Sequence, residues 1–169
     1  TAAEQKKIKG SIQPLSRLIQ VPSELTTAVA AVLGESLEGL TIEADVETEE
    51  VFQFLENMER GRAVLFPLEW LRGENHTPAP EEENVIGNAA DLVSYPMVIK
   101  RLVMLLLGKV WIVRDRKTAR RLIQNQPADM RIVTLSGEVF AGSGEVRAGK
   151  ENRAELISRP RQLKELTDE

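Results

Sequence analysis

Apolar and polar residues follow one another in a pattern that the chain runs through twice. From Val21 to Glu69, and again from Tyr95 to Glu138, a proline near the start opens an apolar helical run that closes on Leu-Gly, at Leu33-Gly34 and at Leu107-Gly108. A β-leaning run comes next, Leu40 to Ile42 in the first block and Val110 to Val113 in the second. A short amphipathic helix then leads to an arginine and a second strand, Arg62 with Ala63 to Phe66 and Arg131 with Ile132 to Leu135. Apolar positions at helical spacing bury one face of a helix, and short β-branched runs suit strands. The blocks lie roughly 70 residues apart, longer than solenoid periods, which predicts two subdomains packed face to face. The second block alone continues into SGEVFAGSGEVRAG, where Gly137, Gly142, Gly144 and Gly149 interrupt a β-leaning sequence. Glycines so closely spaced predict a tight turn and a close backbone approach.

The remaining elements follow from local signals. Residues 1 to 9 are helix formers stopped by Gly10, and Ser11 to Val21 reads as a strand running to a turn at Pro22. Ser23 is placed to cap a helix with Leu25, Val29, Val32 and Leu33 on one face. Arg72 to Asn84, with GENHTPAPEEEN, reads as an exposed connector. The helix from Pro96 to Leu107 is apolar enough to be buried almost all round. Lys117 to Asn125 is a further helix, and a charged helical tail starts at Lys150, with Pro160 restarting it near Ser158. The expected organisation is thus 1–9 and 151–169 as helical ends, 10–83 as a first subdomain and 84–150 as a second. The fold class is α+β, a mixed α/β chain of two pseudo-repeated subdomains.

Composition narrows the function. With 169 residues, 42% hydrophobic and 28% charged, the chain suits one compact domain or two halves sharing a core. A net charge of −4 argues against a wholly basic nucleic-acid coat, so any such contact must be a local patch. The absence of cysteine excludes disulfides and thiolate chemistry and fits a cytoplasmic setting. The longest apolar stretch, Leu102 to Leu107, is too short to span a bilayer. The chain starts at Thr1, and both ends are charged and helix-prone, so it reads as part of a longer protein.

Taken together, AVAAVLGESLEGLTIE, GRAVLFPLEWL, NAADLVSYP, LLLGKVWIVRDRKTA and above all RIVTLSGEVFAGSGEVRAG resemble the hinge domain of SMC (structural maintenance of chromosomes) proteins, bacterial or archaeal homodimeric type, from Gly10 to about Lys150. Arg147 stands where that family usually has threonine, and Ala148 replaces the first glycine of its final pair. The resemblance implies a non-enzymatic hinge at the far end of a long antiparallel coiled coil, with an ATPase head built by the parent's termini. Residues 1–9 would end the outgoing coil and 151–169 begin the returning one, as short antiparallel stubs. Two hinges would join into a two-fold toroid, edge strands of one extending sheets of the other. The setting implied is chromosome segregation and condensation, on the nucleoid in the cytoplasm.

Elementary physics is consistent with that assembly. An exposed edge strand invites pairing with another chain, and a two-fold partner satisfies it without a growing filament. Gly142, Gly144, Val146 and Gly149 are the expected interface of a homodimer, the competing reading being turn geometry within one chain. Lys6, Lys7 and Lys9 before the domain, with Arg147, Lys150 and Arg153 after it, would converge where the terminal helices meet. The resemblance implies DNA contact at that junction, weak and without sequence preference; Glu4, Glu145, Glu151 and Glu155 dilute the charge. His76 is the only histidine, so no transition-metal cage is expected, and Glu81 to Glu83 read as solvated. AGSGEVRAG lacks the lysine and hydroxyl residue of a phosphate-binding loop, and no nucleophile has a recognisable base. No catalytic residue, cofactor or metal is expected. Trp70 and Trp111 read as packing residues, and Phe52, Phe54 and Leu55 as a helix face against a sheet. Two rival readings stay open: a monomeric nucleic-acid-binding module using the basic junction, and a small-molecule or enzymatic domain with a pocket between the halves.

Overall fold

The computed structural model describes residues 12–43, 48–57, 64–73, 75–149 and 157. The first half runs β1 (Ile12–Pro14), α1 (Leu15–Leu18), a 3-10 turn (Ser23–Leu25), α2 (Thr26–Leu33), a second 3-10 turn (Gly34–Glu38), β2 (Leu40–Ile42), α3 (Thr48–Asn57) and β3 (Leu65–Pro67). The second runs β4 (Val85–Asn88), α4 (Ala89–Leu92), a 3-10 turn (Met97–Ile99), α5 (Lys100–Leu107), β5 (Val110–Val113), α6 (Arg116–Ile123) and β6 (Arg131–Thr134), then adds the hairpin β7 (Val139–Ala141) and β8 (Val146–Arg147).

The correspondence is positional. Pro22 and Pro96, the ends of α2 and α5, and Gly34 and Gly108 are all spaced by 74 residues. In each half an antiparallel strand pair is followed by a parallel pair joined through a helix, giving a sheet β1-β2-β3 and a sheet β4-β5-β6-β7-β8. The halves meet at matching points, for Gln20 and Ser94 exchange backbone N–H···O bonds of 2.8 and 2.9 Å. Each helix is also covered by the segment after the other half's parallel strand. The turn at Gly137 sits on Thr27 and Ala31 of α2, while Leu71 accepts a hydrogen bond from Arg101 of α5.

One apolar core joins the halves. Leu15, Leu25, Val29 and Leu37 pack in the same cluster as Ile99, Leu102, Leu107 and Val133, and Ile157 enters it too. Strand β5 is buried on both faces: Val110 and Ile112 face this core, and Trp111 and Val113 face a second cluster with Ala119, Met130, Ile132 and Phe140. Side chains alternate across a strand, so a continuous apolar run needs cover on both sides, and α6 supplies the second.

Several expectations need correcting. Residues 15–18 form a helical turn where a strand was expected to continue, and β4 and α4 occupy 85–92, where no strand had been anticipated. Ser23 makes no capping bond; it lies in the 3-10 turn after Pro22. The helix after Pro96 is not buried all round, because Met97 is 76% exposed, and Val98 and Leu105 are exposed as well. Trp111 is a core residue as expected, but Trp70 is 59% exposed, outside the core. In α3, Val51 is buried and Phe52 exposed; the side chains of Phe54 and Leu55 lie outside the described residues. The opening helix, and the tail apart from Ile157, also lie outside them.

Candidate functional site: the hairpin edge

Strand β8 is the last strand of the larger sheet. It pairs with β7, Val139 opposite Arg147 and Phe140 opposite Val146. Its other side carries no strand among the described residues, and Val146 is 55% exposed. An apolar side chain on an unpaired edge is the combination that soluble chains usually avoid.

The three glycines proposed for this edge differ in what holds them. Gly142 donates its N–H to the Met130 carbonyl at 2.8 Å, and a Cβ there would come within 1.8 Å of the Pro127 oxygen. Its close backbone approach is to its own chain. Gly144 (φ +101°) and Gly149 (φ +127°) adopt left-handed backbone that favours glycine, and among the described residues a Cβ at either would meet nothing within 4 Å. Gly144 also donates to the Ala141 carbonyl, closing the β7–β8 turn. Of the junction cations, Arg147 is described: it is exposed, and its Nε lies 2.9 Å from a Glu145 carboxylate oxygen. Lys6, Lys7, Lys9, Lys150 and Arg153 lie outside the described residues.

Arg131 ties the hairpin's sheet to the other half. At the start of β6 its guanidinium donates to the Val32 carbonyl (3.2 Å) and the Leu106 carbonyl (3.0 Å), both in the last turns of the matching helices α2 and α5. Orphan carbonyls at a helix end carry partial negative charge, so one planar cation serves two helix dipoles. Burial, and secondarily the nearby Arg147, pushes its pKa below the usual arginine range. The sequence offered only an arginine ahead of a strand; that it reaches two helix ends depends on the tertiary arrangement.

The connector is anchored at its centre. Asn88, fully buried, donates to the carbonyls of Thr77 (2.8 Å) and Gly108 (2.9 Å) and caps α4 by accepting from Ala90 N–H. Trp111 Nε1 also donates to the Thr77 carbonyl, and His76 Nε2 lies 2.9 Å from Asp91. Among the described residues no group of histidine, cysteine and carboxylate side chains could hold a metal ion, and no helix is long and apolar enough to cross a membrane.

The family model for the flexible hinge domain of SMC proteins matches residues 8–123. The chain belongs to the SMC hinge family. It is 30% identical to the chromosome partition protein Smc of Myxococcus xanthus over 99% of this chain, and 29% identical to that of Desulfitobacterium hafniense over 92%. It spans only 14% and 13% of those relatives' lengths. Among solved structures it resembles the Pyrococcus furiosus SMC hinge domain (TM-score 0.67, 26% identity, 88% of this chain and 79% of that one). A Geobacillus stearothermophilus SMC hinge, solved as an asymmetric dimer, shares the fold (TM-score 0.79, 24% identity, 99% of this chain and 70% of that one). The SMC hinge fold and the mixed helix-and-sheet class expected from sequence are therefore established.

Proposed function

We propose that this hinge joins two copies of its parent chain, the unpaired side of β8 adding to the smaller sheet of the partner. The exposed β8 edge with Val146 on it carries this reading. Both edges belong to one chain, so a two-fold arrangement uses each twice and closes. Main-chain hydrogen bonds supply affinity, and the side chains flanking the strand supply register. Gly144, Gly149 and Val146 form the contact, and Gly142 holds the hairpin up from behind. The parent is a chromosome-organising SMC ATPase whose arms leave from residues 1–9 and 151–169, and the hinge itself does no chemistry. Lys6, Lys7, Lys9, Arg147, Lys150 and Arg153 form a weak, sequence-independent DNA contact where the arms meet. Reversing charge at Lys6, Lys7 and Lys150 should abolish binding of single-stranded DNA to that junction.

Hydrogen exchange at residues 145–148 over a dilution series tests the joint. Protection that rises with concentration supports edge pairing; fast exchange at all concentrations contradicts it.

A further inference from the structure

The outer face of α6 is strongly basic. Arg116, Lys117, Arg120, Arg121 and Gln124 line an open groove, while Thr118, Ala119, Leu122 and Ile123 turn the other way onto the sheet. Positions one and four apart put these cations in adjacent rows along the helix, one turn or about 6 Å between members of a row. The groove offers no apolar side chain to a protein partner. Three of its four cations are arginines, whose planar fork suits phosphate oxygens.

Two of these cations are already engaged, each by a carboxylate from another element. Arg116 Nε lies 2.8 Å from Glu138, and Arg121 pairs with Glu82 of the connector. The Arg121 guanidinium holds the Glu82 carboxyl below its usual pKa range. Among the described residues Lys117 and Arg120 make no ion pair, and both are exposed. Glu81 and Glu83, flanking the engaged Glu82, are exposed too.

We propose that the outer face of α6 binds the phosphate backbone of DNA, and that the Glu81–Glu83 run competes for it from within the chain. This site uses none of the residues assigned to the terminal junction and does not require the dimer. Lys117 and Arg120 make the first contacts, and Arg121 becomes available when a phosphate displaces Glu82. Each phosphate neutralised releases condensed counterions, so affinity falls steeply with salt.

The test is fluorescence anisotropy of a labelled 30-base-pair duplex with the full 169-residue chain between 50 and 200 mM salt, every variant being checked for an unchanged thermal midpoint. Lys117→Glu with Arg120→Glu should weaken binding at least about tenfold and lower the salt slope by about 2. Glu81→Gln, Glu82→Gln and Glu83→Gln together should tighten binding several-fold. Absence of binding by both the parent and the triple variant, or an unchanged affinity in the Lys117/Arg120 variant, overturns the site. Loss of binding confined to a Lys6/Lys7/Lys150 charge reversal assigns the DNA to the junction instead and also overturns it. Equal competition by polyglutamate overturns the phosphate assignment, and unchanged affinity in the triple variant overturns the internal competitor.

Discussion

The two halves share one succession of elements and put it to different uses. In the first half, α2 turns small residues outward, Thr27 and Ala31, and the turn at Gly137 packs on them. In the second, the matching positions on α5 are Arg101 and Leu105, and the covering segment at Leu71 leaves Met97, Val98 and Leu105 exposed. The second half has the doubly buried strand β5, the pinned connector and the extra hairpin, whereas the described β1 and β3 remain half-buried. A repeated scaffold can thus divide its labour, one half providing a rigid five-stranded platform and the other a smaller sheet.

The matching glycines break this comparison most sharply. A Cβ at Gly108 would lie 1.4 Å from the Asn75 carbonyl oxygen, whereas one at Gly34 would meet nothing within 4 Å among the described residues. Gly108→Ala should cost about 3 kcal/mol or more in urea unfolding, because backbone must move. Gly34→Ala should cost only about 1–2 kcal/mol, from strain at φ +53°. Equal losses would mean that the connector is not seated on the second half.

Asn88 and Pro14 are also spaced by 74 residues, and of the two it is Asn88 whose side chain hydrogen-bonds the connector. Asn88→Ala should destabilise by about 2–3 kcal/mol, through a buried network left incomplete. Pro14→Ala should cost under about 1 kcal/mol. Arg131→Met should cost about 2 kcal/mol by freeing the helix-end carbonyls of both halves. Arg131→Lys should not restore the loss, since an ammonium lacks the fork that reaches both; full rescue would show that charge alone matters.

A smaller effect appears in acid. Hydrogen bonds from Thr118 hold the Asp115 carboxyl below its usual range at the start of α6, and Lys109 does the same for Asp129. Depressed folded-state values mean that their stabilisation is present above the ordinary carboxylate range near 4 and is lost as pH falls through the folded values. Asp115→Asn keeps a capping oxygen but cannot titrate, so its urea midpoint should fall less than the parent's between pH 5 and 2. An identical fall would exclude Asp115 as a contributor.

Much of this architecture is legible in the chain. Leu40 to Ile42, Val110 to Val113 and Arg131 to Thr134 are strands because β-branched runs are bounded by turn residues, and the Leu-Gly closures mark both helix ends. The hairpin is also visible in its glycines, though not the reason for each: Gly142 reads like Gly144 until Pro127 is found behind it. Strand β4 escapes notice because its ladder partner is β5, more than twenty residues on, and its Gly87-Asn88 pair reads as a turn. The exposure of Trp70 escapes notice for a different reason. An aromatic residue among apolar neighbours reads as core whether its cover comes from its own chain or from elsewhere. The roles of Asn88 and Arg131 depend on carbonyl partners between 11 and 99 residues away, which no local pattern encodes.

The most direct test of the account is solution mass by light scattering across a dilution series, for the parent and for Val146→Asp, a substitution at an exposed edge position that leaves every glycine in place. The account predicts twice the 18.8 kDa chain mass for the parent and a folded monomer for the variant. A parent that stays monomeric at high concentration, or a variant that dimerises equally well, would contradict it.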